Sequence, residues 1–479
     1  MTLPAHIVPA LLTAPGFDET NFCLAHESGE QVVSLRLNPE KLPSPGGLGF
    51  IPASRVPWAD LGYYLQERPF FTFEPLLHAG AFYVQEASSM FLEQAIRQCC
   101  DLSTSLVALD LCAAPGGKST HLLSLLSPES VLVSNELIRQ RAAILEENLV
   151  KWGSANSIIT NNDPRDFSDI GPVFDLLVID APCSGSGMFR KDPGAVTGWS
   201  TDLVNLCSQR QQRILADVWS CLKEDGVMVY STCSYSVEEN EQMADFIMAT
   251  LGAESLPIDI PEDWNIVYST SEQQQANGYR FYPDKIKGEG FYLAAFKKTA
   301  ANDRMPRNKT KPKWEPVSKN IHNALSRWIN MEDLLVVNSN DNLLAIPVAT
   351  EKCLQLLTTL YIRKAGISLG KWAGKDLVPD HALALSQLLG KGLPVLELDR
   401  DKSLRYLRKE EIDAGNTERG WVVVQFKGLA RSQIRTSISK SSFTLSPACW
   451  AMLFGTRMAK LLPHFWAVVF ICAIPHSIA

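Results

Sequence analysis

Eleven cysteines are spread along this 479-residue chain without a Cys-x-x-Cys pair and without a Cys/His cluster at finger spacing. That absence argues against a structural zinc site and a disulfide framework, so no metal is expected and the free thiols suit a reducing, cytoplasmic setting. The opening residues, MTLPAHIVPALLTAPGF, lack the basic start and continuous apolar run of a secretion signal, and export is not expected. A last apolar run, residues 461–474, contains Pro463 and His464 and is shorter than the ~20 residues that span a bilayer, so no membrane partner is expected. No Gly-x-x-x-x-Gly-Lys-Ser/Thr loop occurs, which disfavours a nucleoside triphosphate, and the full Gly-x-Gly-x-x-Gly turn of a nicotinamide site is missing. The formal net charge of -7 gives no cationic excess over the whole molecule, so a polyanion would have to meet a local basic face.

What the chain does have is a globular balance of 46% hydrophobic and 20% charged residues, over a length that one core seldom organises, so two or three domains are expected. Residues 1–75 mix short apolar stretches with prolines and contain SLRLNP and the run Pro69-Phe70-Phe71; they read as an N-terminal extension. Residues 76–298 alternate strand-length apolar runs with helix-period segments, the pattern of a parallel sheet with crossover helices. The strand candidates are SLVALDL, SVLVSNE, SIIT, FDLLVID, GVMVYST and GFYLAAF, and Ile138, Ala142, Leu145, Leu149 and Trp152 predict one apolar stripe on a helix. Residues 299–319 read as a basic, solvated linker, since 297–319 hold eight Lys/Arg and two acids. Residues 320–430 predict a small β-rich module around LLVVN, LLAIPV and GWVVVQFKGLA, and residues 431–479 read as an atypical tail.

In a doubly wound sheet, ligands sit beyond the carboxyl ends of the strands. After the first run comes Cys112-Ala113-Ala114-Pro115-Gly116-Gly117-Lys118, whose small residues let the backbone turn tightly and approach a ligand. The second run ends in Glu136, twenty positions beyond Gly116, the spacing at which a carboxylate meets a ribose diol. Asp163 follows the third run and Asp180 ends the fourth. Each acid alone is an ordinary cap or turn residue. Together, beside a glycine turn, they predict a cofactor site, and the acidic bias suits a cationic sulfonium better than a pyrophosphate.

Two thiols, Cys183 in Asp180-Ala181-Pro182-Cys183 and Cys233 in Ser231-Thr232-Cys233-Ser234, fall at the ends of the fourth and fifth runs. A buried cysteine is usually an inert small hydrophobe, but two beside an aspartate invite a chemical reading. Carbon 5 of cytosine is a poor nucleophile. Methylating it needs a thiolate to add to carbon 6 first, so that electron density reaches carbon 5. An acidic group at N3, a role that suits Asp180, eases that addition. A second cysteine then assists release. Spacing does not rank the two thiols.

LDLCAAPGGK, IDAPCSGSGMFRKDP and YSTCSYSVEENE, with YVQEASSM ahead of them, resemble the motifs of RNA cytosine-5 methyltransferases of the Sun (Fmu) type, in the same order and spacing. The resemblance covers roughly residues 30–298. It implies a Rossmann-like class I methyltransferase domain, S-adenosyl-L-methionine as cofactor and an RNA substrate. It places the cofactor on residues 112–118, Glu136, Asp163 and Asp180, makes Cys233 the nucleophile and makes Cys183 the helper in release. In DNA cytosine-5 methyltransferases the Pro-Cys thiol attacks, so the choice of Cys233 rests on its TCS and EENE context.

Arg190 and Lys191, after the Cys183 turn, are candidates for holding target phosphates, with a solvated surface pair as the plain alternative. GYRFYPDKIKGEGFYLAAFKK, LYIRKAGISLGK and GWVVVQFKGLA resemble, more loosely, the F type of bacterial 16S ribosomal RNA cytosine-5 methyltransferases, whose added module is PUA-like and binds RNA. The pattern departs after about residue 430. The expectation is therefore an α/β protein: a Rossmann-like methyltransferase domain with an N-terminal α+β extension and a C-terminal β-rich PUA-like module. It is expected to act as a monomer on ribosomal RNA, within the small ribosomal subunit. A transfer RNA methyltransferase, a non-catalytic RNA-binding assembly factor and a small-molecule methyltransferase stay open as alternatives.

Overall fold

Parallel strands covered on both faces read as near-continuous apolar runs, and FDLLVID is such a strand, Phe174–Asp180. The computed structural model describes residues 3–300, 314–412 and 420–436. Six strands frame its central sheet: β1 (Val107–Asp110), β2 (Val131–Asn135), β3 (Ser157–Thr160), β4 (Phe174–Asp180), β5 (Leu222–Thr232) and β6 (Phe291–Lys298). Their order is β3-β2-β1-β4-β5-β6, with the first five parallel and β6 antiparallel to β5. Successive side chains leave opposite faces of a strand. Thus Leu177 and Ile179 join the core under helices Thr201–Val218 and Glu241–Leu251, while Leu176 and Val178 join the core under helix Leu92–Cys99. Strand order reverses between β1 and β4, which opens a crevice at their carboxyl ends.

The helix between β2 and β3 spans Arg139–Trp152 and buries Ala142, Leu145, Leu149 and Trp152 as its spacing predicts. Ile138 departs from the expected stripe. It precedes the helix in extended conformation and is 47% exposed, because Glu136 Oε1 holds its backbone N–H and turns the chain outward.

An antiparallel four-stranded sheet of Ser34–Leu37, Pro52–Arg55, Gly62–Leu65 and Phe82–Val84 forms the N-terminal part, so that part runs past residue 75. SLRLNP fastens it to the central domain. Arg36 is buried and donates to Gln85 Oε1 and Thr120 Oγ1, and Asn38 Nδ2 donates to the carbonyls of Gly80 and Trp152.

Beyond β6, residues 301–313 of the expected linker lie outside the described residues. Its end is already folded: Glu315–Pro316 pairs with Leu334–Ser339, and Ser318 caps helix Lys319–Leu325. Five short strands then form one sheet around Trp328, Ile329, Leu369 and Leu377, and three form another. Ile362–Ala365 leaves this region and pairs antiparallel with β3 at the edge of the central sheet. The last hairpin, Gly420–Phe426 with Leu429–Thr436, runs beyond residue 430, so the tail is not separate from its start. Residues 437–479, with the apolar run 461–474, lie outside the described residues. Among the described residues, no helix is long and apolar enough to cross a membrane.

Candidate active site

The turn after β1 is shaped by Gly116, whose φ of 112° belongs to the left-handed region that favours glycine. It starts helix Gly117–Leu125, and Ala113 and Ala114 pack on Leu145 and Leu149 of the neighbouring helix. Arg141 Nη2 donates to Ala114 O and Asn148 Nδ2 to Pro115 O, so the carbonyls of this turn are tied back and the turn is held open. Cys112 lies beneath it, its thiol pushed up by burial and by the nearby Glu136.

Asp110, at the end of β1, is a candidate site residue that sequence reasoning passed over. Its Oδ2 accepts from Ser119, while Oδ1 is buried with no hydrogen-bond partner among the described residues. Burial raises its carboxyl to about 7 against the hydrogen bond from Ser119. Its position immediately before the Cys112 turn was the available signal.

Glu136 lies just beyond β2 with its side chain 4% exposed; Arg141 Nη1 is 3.5 Å from its Oε2. Asp163 follows β3 but turns its carboxylate onto the next backbone: it accepts from Arg165 N in a capping box with Asp166. The cap reading therefore describes Asp163 in this structure, and a cofactor contact would have to use its remaining acceptor capacity.

Asp180 and Lys118 meet across the crevice, Lys118 Nζ standing 2.8 Å from Asp180 Oδ2 and 5.1 Å from the centre of the Phe291 ring. Ser231 Oγ donates to the other Asp180 oxygen at 2.8 Å. The register that pairs Asp180 with Ser231 sets the following turns side by side, and Cys183 Sγ and Cys233 Sγ come to 3.0 Å. The Cys183 thiol is pushed well above its usual value, first by that sulfur contact, then by burial and the charges of Glu239 and Asp180. Gly187 N donates to Cys233 O, and a Cβ at Gly187 would stand 2.8 Å from that carbonyl, so glycine is what lets the two turns close.

Arg190 is corrected by the structure. It is 8% exposed and spends its guanidinium on Glu289, at 2.9 and 3.2 Å, and on Gly288 O, at 2.7 Å, so it faces inward and not toward a phosphate. Lys191 is more open, its side chain 25% exposed, with Nζ 3.8 Å from Glu289 Oε1. Removing one partner of a buried ion pair strands the other charge, so Arg190→Ala is expected to cost about 3–5 kcal/mol of stability, while Lys191→Ala costs under about 1 kcal/mol. Thermal and denaturant melts measure both; an unchanged melt for Arg190→Ala with weakened RNA binding would restore the phosphate role.

Residues 100–297 match the family described as 16S rRNA methyltransferase RsmB/F, and residues 3–87 match the N-terminal domain of 16S rRNA methyltransferase RsmF. The ribosomal RNA small subunit methyltransferase F of Vibrio vulnificus is 29% identical over 391 residues, spanning 78% of this chain and 80% of that protein. Its counterpart in Aeromonas hydrophila is 35% identical over 251 residues, 51% of this chain and 52% of the other. Among solved structures, a methyltransferase homolog protein from Pyrococcus horikoshii aligns with TM-score 0.51 and 27% identity, over 60% of this chain and 93% of that one. NSun6 from the same organism aligns with TM-score 0.51 over 62% of this chain and 98% of its own, a likeness of fold at 19% identity.

Proposed function

We propose that the chain, a Sun (Fmu)-type RNA methyltransferase by its matches to the RsmB/F family over residues 3–87 and 100–297, methylates carbon 5 of a cytosine in 16S rRNA through a covalent adduct between Cys233 and carbon 6. The observation that carries this reading is the pair of thiols 3.0 Å apart at adjacent strand ends, beside Asp180 and Lys118. The family uses S-adenosyl-L-methionine, and the residues present fit it. The strand-order reversal supplies the crevice, Gly116 the open turn, and the unpartnered, buried oxygen of Asp110 an acceptor beside the Cys112 turn. Residues 112–117 with Asp110 and Glu136 would hold the cofactor, which supplies an electrophilic methyl group when bound.

The protein's own groups then divide the work. Cys233 adds to carbon 6 as a thiolate, and the Cys183 thiol, kept protonated by its raised pKa, donates a hydrogen bond to that sulfur. Lys118 is placed to donate toward N3 and Asp180 to accept from the N4 amino group, since the two form an ion pair at the sheet edge. This moves the N3 role from Asp180, where the sequence suggested it, to its partner. After carbon 5 is methylated its proton passes to a water molecule, the carbon 5–carbon 6 double bond re-forms as the carbon 6–sulfur bond breaks, and the Cys183 hydrogen bond stabilises the departing thiolate. Two thiols at a sheet edge are reached only by a base out of its stack, so the target lies in a loop or is flipped out. The two small C-terminal sheets are read as a PUA-like RNA-binding module on the resemblance of residues 360–371 and 420–430.

Bisulfite sequencing of ribosomal and transfer RNA from cells with and without the gene tests the reading. One 16S rRNA cytosine that loses protection in the deletion is the expected result. Loss at a transfer RNA position would change the substrate, and no change at any cytosine would overturn the activity.

A further inference from the structure

Four polar contacts converge on one buried carboxylate behind the thiols. Glu239 Oε1 accepts from Ser184 N at 2.8 Å and from Gln211 Nε2 at 3.2 Å, and Oε2 accepts from the hydroxyls of both Ser184 and Ser234. Gln211 Nε2 also donates to Pro182 O at 3.0 Å. Residues 182 and 184 flank Cys183, and residue 234 follows Cys233, so a single side chain grips the neighbours of both sulfurs. Glu239 is fully buried. Its own backbone is fixed by Tyr230 Oη, which donates to Glu239 O at 2.7 Å, and the next residue braces the same turn, Asn240 Nδ2 donating to Ser234 O at 2.9 Å.

We propose that Glu239 is a positioning residue that holds the Cys233 turn, with the Cys183 turn beside it, and so sets where Cys233 stands against the pyrimidine and the rate at which it attacks. The physical reason is that neither turn is a regular element, so nothing in the sheet itself fixes where its sulfur stands beyond the last paired residue. A carboxylate taking hydrogen bonds from both turns does so, because charge-assisted hydrogen bonds are shorter and about twice as strong as neutral ones. Its burial also keeps water from replacing those donors.

The proposal rests on the covalent reading above, and the test separates the two. RNA transcribed with 5-fluorocytidine is used, because a fluorine on carbon 5 cannot leave as a proton does and the methylated adduct stays attached to Cys233. If the wild-type protein with S-adenosyl-L-methionine forms no such adduct, the covalent reading fails and takes this proposal with it. If wild type forms the adduct, Glu239→Ala should form it about 100-fold more slowly, the loss that a 1 Å misplacement of a reacting group brings. Affinity for S-adenosyl-L-methionine and for RNA should stay within about 3-fold, since differences below that correspond to well under 1 kcal/mol. Glu239→Gln should be slowed only about 10-fold: its oxygen keeps the Ser184 N–H, and both hydroxyls can turn to accept from its amide. If Glu239→Ala does not fold, Ser184→Ala combined with Ser234→Ala cuts the same ties from the other side and should slow the adduct about 10-fold. Adduct formation at the wild-type rate in folded Glu239→Ala, or in the double serine variant, overturns the proposal. So does a loss in which cofactor affinity and melting temperature fall along with the rate.

Discussion

Cys233→Ala is expected to abolish methyl transfer, lowering single-turnover transfer of labelled methyl to RNA by at least about 10⁴-fold, or about 5 kcal/mol of transition-state stabilisation. Cys183 does not replace the lost sulfur: it stands on the neighbouring turn, and burial with the charges of Glu239 and Asp180 keeps its thiol protonated. The substitution removes a sulfur from a half-buried turn whose backbone is fixed by Gly187 and Asn240. Binding of S-adenosyl-L-methionine, measured by calorimetry, should therefore stay within about 3-fold. Transfer within tenfold of wild type would remove Cys233 from the mechanism.

Cys183→Ala should behave differently. The attack on carbon 6 and the methylation of carbon 5 do not require a second sulfur, but departure of the Cys233 thiolate loses its hydrogen-bond donor. Turnover is expected to fall by about 10²-fold or more, the usual worth of a positioned proton donor, and a methylated protein–RNA adduct should accumulate on denaturing gels. That band must vanish in the variant lacking both thiols. Loss of turnover with no adduct would mean that Cys183 acts before the bond to carbon 6 forms.

The central sheet was largely legible because its signals are local. FDLLVID reads as a buried parallel strand and is one from end to end. LDLCAAPGGK reads as a strand, a tight turn and a helix, since Gly116 must take a positive φ there. Where the pattern competed with a side-chain contact, near or far along the chain, the pattern alone did not decide the outcome. Ile138 fits the helical spacing, yet Glu136 turns it outward. Asp163 occupies a strand end as expected, and its carboxylate goes to the next backbone turn. Arg190 follows a glycine-rich turn, where a surface cation is the natural guess, and is instead drawn inward by Glu289, 99 positions away. Glu239 was visible only as part of the EENE context beside TCS, because its partner Ser184 lies 55 positions earlier.

By itself, then, the sequence determined the six strands that frame the central sheet, the turns that end them and the chemistry-bearing residues that stand at those ends. Periodicity and the conformational demands of glycine act over a few neighbouring residues and need no knowledge of the rest of the chain. Only the tertiary structure decided that the two sulfurs touch, that Lys118 faces Asp180, that Arg190 is internal and that Ile362–Ala365 completes an edge of the sheet. Those outcomes depend on burial and on partners brought together across the strand order. The energy of a charge or a thiol is set by what surrounds it in space.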